Sequence, residues 1–150
     1  MKRYIYILTV VLVSVFTGCS NNDLYEDMPR QIQTFINQYF PNSQLESFVS
    51  SDKSYRAIIK DGPGMTFNAD CNWTSVNGYG EVLPQVLLYD QLPPDLYQYL
   101  QETENTHNVF SISRNSDFYS VVLLDYTLRY DIATGKITGG SEIAKIPSYR

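Results

Sequence analysis

The chain holds one histidine and two cysteines, the side chains most often recruited for nucleophilic, acid–base or metal chemistry. His107 lies in the polar stretch Glu102-Thr-Glu-Asn-Thr-His107. Nucleophilic catalysis would need a Ser or Cys activated beside that imidazole, and nothing in the chain has the pattern of a nucleophile elbow. A zinc site needs three or four nitrogen, sulfur or carboxylate ligands. With Cys19 committed elsewhere, only Cys71 and carboxylates remain, so His107 reads as a solvated loop residue. Asp61 and Asp125 hold equivalent places at two strand ends, as a carboxylate pair for proton transfer would. Asp61-Gly-Pro-Gly64 is a turn signature, however, and Asp is at home in turns. No acidic stretch has the ligand spacing of an EF-hand loop. The expectation is a protein without catalytic residues, metal or cofactor.

Cys19 has a different use. Met1-Lys2-Arg3 precedes thirteen almost wholly apolar residues, Tyr4 to Phe16. A spanning helix needs about 20 such residues, whereas a basic start, a short apolar run and small residues at its end describe a secretory signal. Thr17-Gly18-Cys19 is the bacterial lipoprotein pattern, in which the thiol is acylated and the chain is cut before Cys. Phe16 stands where an aliphatic residue is usual. The alternative is an ordinary signal peptide cut nearby, with Cys19 free to pair. Residues 1–18 are thus expected as signal peptide, and 19–27 as an acidic tether without the apolar content to order itself. Loss of Lys2 and Arg3 leaves nine basic against 16 acidic side chains, a formal charge of −7. Such a chain has no electrostatic footprint for nucleic acid. Membrane attachment falls to the lipid on Cys19.

The remainder, 28–150, reads as one domain of two repeats, 28–83 and 92–140. Met28-Pro-Arg-Gln-Ile-Gln-Thr-Phe-Ile36 lies over Leu92-Pro-Pro-Asp-Leu-Tyr-Gln-Tyr-Leu100, and the same offset brings Ala57-Ile-Ile59 over Val121-Val-Leu123. Each unit opens as a helix, with Pro29 and Pro93 in the first turn, where a missing N–H costs nothing. Ile32, Phe35, Ile36 and Tyr39 recur at helical spacing, as do Leu96, Tyr99 and Leu100, and Pro41 stops the first helix. Strands follow: Tyr55, Ala57 and Ile59 alternate with Arg56, Ile58 and Lys60, and Tyr119, Val121 and Leu123 with Ser120, Val122 and Leu124. The expected fold is α+β: two tandem repeats of one helix and an antiparallel meander of three to four strands, helices on one sheet face. Asp131-Ile-Ala-Thr-Gly-Lys136 closes a hairpin with Gly135 left-handed; Asn68-Ala-Asp-Cys-Asn-Trp73 matches it, placing Asn72 at the left-handed position and Cys71 as turn filler.

This order resembles the PepSY-like, beta-lactamase-inhibitor-like lipoproteins found chiefly in gut Bacteroidetes. The likeness rests on "MPRQIQTFINQYFP", the Tyr-x-Ala/Val-x-Ile/Leu strand, the turn before Trp73 and "LPPDLYQYL", and covers roughly 28–140. The second unit departs where "QETENTHN" replaces the aromatic-proline ending. The resemblance implies an α-plus-antiparallel-sheet fold and no established activity; inhibition of a protease or beta-lactamase is only what the family name suggests. Asn72-Trp-Thr74 matches a glycosylation sequon, which carries little weight in a bacterial lipoprotein.

With chemistry set aside, surface remains. If Tyr55, Ala57, Ile59, Met65 and Phe67 face the helices, regular hairpin pairing puts Trp73 on the other face with Arg56, Ile58, Lys60, Val122, Leu124, Arg129 and Lys136. Trp and Arg dominate binding energies at interfaces, so this face is the candidate binding site. The competing reading folds Trp73 into the core, its indole N–H bonded to a carbonyl. Three classes follow: a binding module that acts as a steric inhibitor or adaptor for an envelope protein, a lipoprotein that takes a small ligand or peptide between helix and sheet, and an enzyme, disfavoured above.

Overall fold

The computed structural model describes residues 22–139. The expected signal peptide and the lipid anchor Cys19 lie outside the described residues. Part of the expected tether lies within them and differs from expectation. Asn22–Glu26 forms a short helix, α1, and Leu24 and Tyr25 pack against the core. The Gln33 amide donates to the carbonyls of Tyr25 and Met28, at 2.8 Å each. Two apolar side chains with a surface to cover are enough to order an otherwise acidic segment.

Helix α2 (Arg30–Tyr39) begins after Pro29 and buries Ile32, Ile36 and Tyr39, one stripe of its surface. Each buried aliphatic contributes roughly 1.5–3 kcal/mol. Four strands follow: β1 (Leu45–Ser50), β2 (Ser54–Ile59), β3 (Gly64–Asn68) and β4 (Trp73–Asn77). Then come helices α3 (Gln85–Gln91) and α4 (Pro94–Glu102), and strands β5 (Val109–Arg114), β6 (Phe118–Leu123), β7 (Thr127–Asp131) and β8 (Ile137–Thr138).

The expectation of two helix-plus-meander repeats is overturned by the sheet. All eight strands form one antiparallel meander in the order β1 to β8, each beside its sequence neighbour. The join is β4 against β5, where Ser75, Val76 and Asn77 pair with Ser113, Ile112 and Ser111. Unpaired strand edges at β4 and β5 would leave backbone donors and acceptors open; pairing them runs one continuous meander through what were expected as two separate repeats. The core is correspondingly single. Ile32 and Ile36 of α2, Leu87 and Leu88 of α3, and Leu96 and Leu100 of α4 join Ala57, Met65, Phe67, Val76, Ile112, Val121 and Leu128 in one buried cluster. Helix α3 was not foreseen: its Leu87 and Leu88, with Leu83 and Leu92 at its flanks, are all buried.

The turns differ by one residue from their expected alignment. Gly135 is left-handed, at φ 67°, but in the β3–β4 hairpin the left-handed residue is Cys71, at φ 62°, not Asn72. Asn68 N–H bonds Asn72 C=O at 2.9 Å, whereas Asp131 N–H bonds Lys136 C=O at 2.9 Å, so the first loop is one residue shorter. Asn68 Oδ1 also accepts the amides of Asp70 and Asn72, which fixes the tip.

Candidate functional site

Sheet register decides which side chains share the face away from the core. One row crosses all eight strands: Val49, Arg56, Thr66, Ser75, Ser113, Ser120, Arg129 and Thr138 are successive partners. A second row runs Ser47, Ile58, Gly64, Asn77, Ser111, Val122 and Thr127. None of these side chains belongs to the core cluster. The middle of the open face is therefore floored by the small polar side chains of Ser, Thr and Asn, with Arg56 toward one edge and Arg129 toward the other. Antiparallel strands lie about 4.8 Å apart and rise about 3.4 Å per residue, so this face spans roughly 34 Å by 17 Å.

Trp73 is not on it. Thr66 pairs with Ser75, but Phe67 pairs with Trp73, so Thr74 is an extra residue in β4. This β-bulge turns Trp73 to the core side beside Phe67, and Trp73 is 3% exposed. The expectation that Trp73 lies on the helix-free face is corrected by that single inserted residue. Its indole N–H donates to Gln91 Oε1 at 2.7 Å. The same amide donates through Nε2 to the Tyr39 hydroxyl at 2.6 Å, which in turn donates to Asp90 Oδ2 at 3.2 Å. The chain Trp73–Gln91–Tyr39–Asp90 ties β4, α3 and α2 together. On its other side, Arg114 Cζ sits 4.3 Å from the indole centroid, and its Nε donates to the Trp73 carbonyl at 2.8 Å. Trp73 is a structural residue.

The other expected site residues are dispersed. Arg56 is exposed and its guanidinium donates to the Tyr79 hydroxyl at 3.3 Å. Tyr79, itself left-handed at φ 51°, lies over Gly64, where an added Cβ would fall 2.6 Å from its hydroxyl. Ile58 and Val122 are half-buried in the same row but separated by three strands. Leu124, 55% exposed, lies with Val122 and Phe110 around a shallow apolar recess of about 360 Å³. Lys60 and Lys136 are exposed just beyond β2 and in the β7–β8 turn, at the margins of the face. Arg129 packs its guanidinium 3.8 Å from the Phe118 ring centroid, a cation–π contact on the open face. Phe118, Tyr79 and the Ser/Thr floor were not read from the sequence. The alternating serines in Phe110-Ser-Ile-Ser-Arg114 were the available signal.

The residues weighed for chemistry are apart. His107 is exposed between α4 and β5, its Nε2 2.7 Å from the Gln85 amide. Asp61 sits left-handed, at φ 53°, in the β2–β3 turn, and Asp125 in the turn between β6 and β7. Cys71 is a half-buried free thiol at its hairpin tip. Among the described residues no group of three or more His, Cys, Asp or Glu is placed to hold a metal ion.

The fold has solved relatives. A protein from Bacteroides vulgatus described as "putative periplasmic protein from DUF2874 family" matches at 24% identity and TM-score 0.63, over 79% of this chain and 90% of its own. A protein from Bacteroides thetaiotaomicron described as "putative calcium-regulated periplasmic protein" matches at 25% identity and TM-score 0.63, over 75% of this chain and 91% of its own. A second Bacteroides vulgatus protein, described as "putative periplasmic protein of unknown function", matches at 19% identity and TM-score 0.63, over 76% of this chain and 94% of its own. No curated protein matches. Residues 53–136, more than half of the chain and running from β2 to the β7–β8 turn, match the family described as "Putative beta-lactamase-inhibitor-like, PepSY-like", and the chain belongs to that family.

Proposed function

We propose that the chain is a non-enzymatic binding module of the bacterial envelope, held by lipid on Cys19, that lays its open sheet face against a protein partner. The observation that carries this reading is the row of partners from Arg56 through Thr66, Ser75, Ser113 and Ser120 to Arg129. A floor of small hydroxyl-bearing side chains lets a partner's surface approach closely and offers hydrogen bonds across it. The flanking arginines, one stacked on Phe118, are the residue type enriched where binding energy concentrates. A standard interface buries about 800 Å² on each partner; a face of roughly 34 Å by 17 Å, with its side-chain relief, is of that order. Binding there would inhibit or recruit by covering the partner's surface and needs no covalent step. The periplasmic description of the three solved relatives supports the envelope location.

The test uses residues 20–150, immobilised and exposed to envelope proteins of the source cells. Ser75→Lys and Ser120→Lys place a long charged side chain in the middle of the floor; Gln31→Lys makes the same charge change on exposed α2. A partner retained by the wild type and by Gln31→Lys, and lost from both face variants, is the expected result. Retention by all three would remove the open face from consideration.

A further inference from the structure

On the helical side, away from the open face, α3 and α4 enclose a groove of about 700 Å³ lined by Tyr89, Asp90, Pro94, Tyr97, Gln98 and Gln101. Tyr89 is 69% exposed, the most exposed large apolar side chain among the described residues. Its ring meets Tyr97 edge-on, with centroids 5.4 Å apart and planes at 80°. Two π faces at a right angle make a corner, and ring faces attract cations. Asp90 stands beside that corner. Its Oδ2 accepts from the Tyr39 hydroxyl and the Gln38 amide, both at 3.2 Å and both neutral donors that fix the carboxylate without bringing a positive charge to it. Outside the lining, Gln98 Nε2 donates to Glu102 Oε1 at 2.7 Å, which holds a second carboxylate one helical turn from Gln98.

Charge in this part of the chain is one-sided. From Asp61 to Ser113 the sequence contains no lysine or arginine, while Asp61, Asp70, Glu81, Asp90, Asp95, Glu102 and Glu104 are all acidic. The lining residues 94, 97, 98 and 101 fall on one face of α4, a length of about 10 Å at 1.5 Å per residue. That length matches about three residues of an extended peptide.

We infer that the α3–α4 groove is a second binding site, for an extended basic peptide segment whose Lys or Arg cation seats in the Tyr89–Tyr97 corner against the Asp90 carboxylate. The backbone of the segment runs along α4, where the Gln98 and Gln101 amides supply donors and acceptors. This site lies on a different surface from the sheet floor, and neither depends on the other.

The probe is the peptide acetyl-Gly-Arg-Gly-Arg-Gly-amide, titrated into isotope-labelled protein and followed by backbone amide resonances, with acetyl-Gly-Glu-Gly-Glu-Gly-amide as the control. The arginine peptide is expected to shift the resonances of Tyr89, Asp90, Tyr97 and Gln98, and the glutamate peptide to leave them in place. Affinity should fall at least fivefold in Tyr89→Ala and in Asp90→Asn, and several-fold on raising salt from about 50 to about 300 mM, as screening requires. Tyr89 is mostly in solvent and Asn can still accept from Tyr39, so both variants should keep the wild-type spectrum away from the groove. Equal shifts from both peptides, shifts centred elsewhere, unchanged affinity in Asp90→Asn, or no shift at millimolar peptide would each overturn the assignment.

Discussion

Replacing Trp73 separates a core residue from a binding residue. The indole is 3% exposed, donates to Gln91 and lies under the Arg114 guanidinium. Truncating a buried Trp to Ala costs about 3–5 kcal/mol through lost burial and the cavity left behind. Gln91 Oε1 also loses its donor, a cost of about 1 kcal/mol at this half-buried position. Loss of the Arg114 contact adds about 0.5–1 kcal/mol. These effects overlap, so about 4–5 kcal/mol is the working figure for Trp73→Ala. Against a total stability of about 5–15 kcal/mol, that is about a quarter of it or more. For a domain of this size it lowers Tm by roughly 15 °C or more. Trp73→Phe keeps most of the apolar volume but not the N–H, and should cost about 2 kcal/mol. Thermal and urea unfolding followed by far-UV circular dichroism reads both, without relying on the fluorescence of the chain's one tryptophan. A Trp73→Ala protein that melts within about 2 °C of wild type would refute the bulge, the buried indole and the Gln91 relay together.

Cys71 holds a left-handed backbone, at φ 62°, that a side chain with a Cβ disfavours. Cys71→Gly should therefore stabilise by about 0.5 kcal/mol after loss of its partial packing, and the β-branched Cys71→Val should destabilise by more than about 1 kcal/mol; the reverse order in urea midpoints would contradict the turn geometry. Tyr39 gives a pH dependence. Burial raises its hydroxyl pKa above the ordinary 10.0, the Gln91 amide opposing and the Asp90 charge reinforcing. The folded state then holds the phenolic proton more tightly than the unfolded chain. That contribution is whole below the unfolded pKa and is lost as pH rises through the folded one. Urea midpoints between about pH 9 and pH 11 should fall more steeply in wild type than in Tyr39→Phe. Equal slopes would show that the hydroxyl is not buried as described.

The elements were legible wherever a period ran unbroken. Tyr55, Ala57 and Ile59 in β2, and Tyr119, Val121 and Leu123 in β6, kept strict alternation and faced the core as read. Ile32, Ile36 and Tyr39 kept the helical stripe of α2. Faces were lost where one inserted residue broke the period. In β4 the buried pair is Trp73 and Val76, in β5 Val109 and Ile112, three apart instead of two. Both strands carry a register shift, as does β1. That spacing is visible in the sequence, but a strict period of two carried through it puts Trp73 on the wrong side. The junction that makes the meander continuous was not legible at all. The β4–β5 pairing joins strands separated by residues 78–108, and no local pattern reports a contact across so long a connection. Of the expected binding residues, Arg56, Ile58, Val122 and Arg129 do lie on the open face. The alternating serines of β5 are a local signal for the small polar floor between them, but nothing local reports that it continues across β3, β4 and β6.

The most direct test of the open face as the working surface is the paired retention measurement on residues 20–150. Wild type, Ser75→Lys, Ser120→Lys and Gln31→Lys are compared after circular dichroism has confirmed that all four are folded. One partner bound by wild type and by Gln31→Lys, and lost at least tenfold in both face variants, is the predicted result; at 1.4 kcal/mol per decade this corresponds to losing one good contact. Undiminished binding in the two face variants would contradict the account.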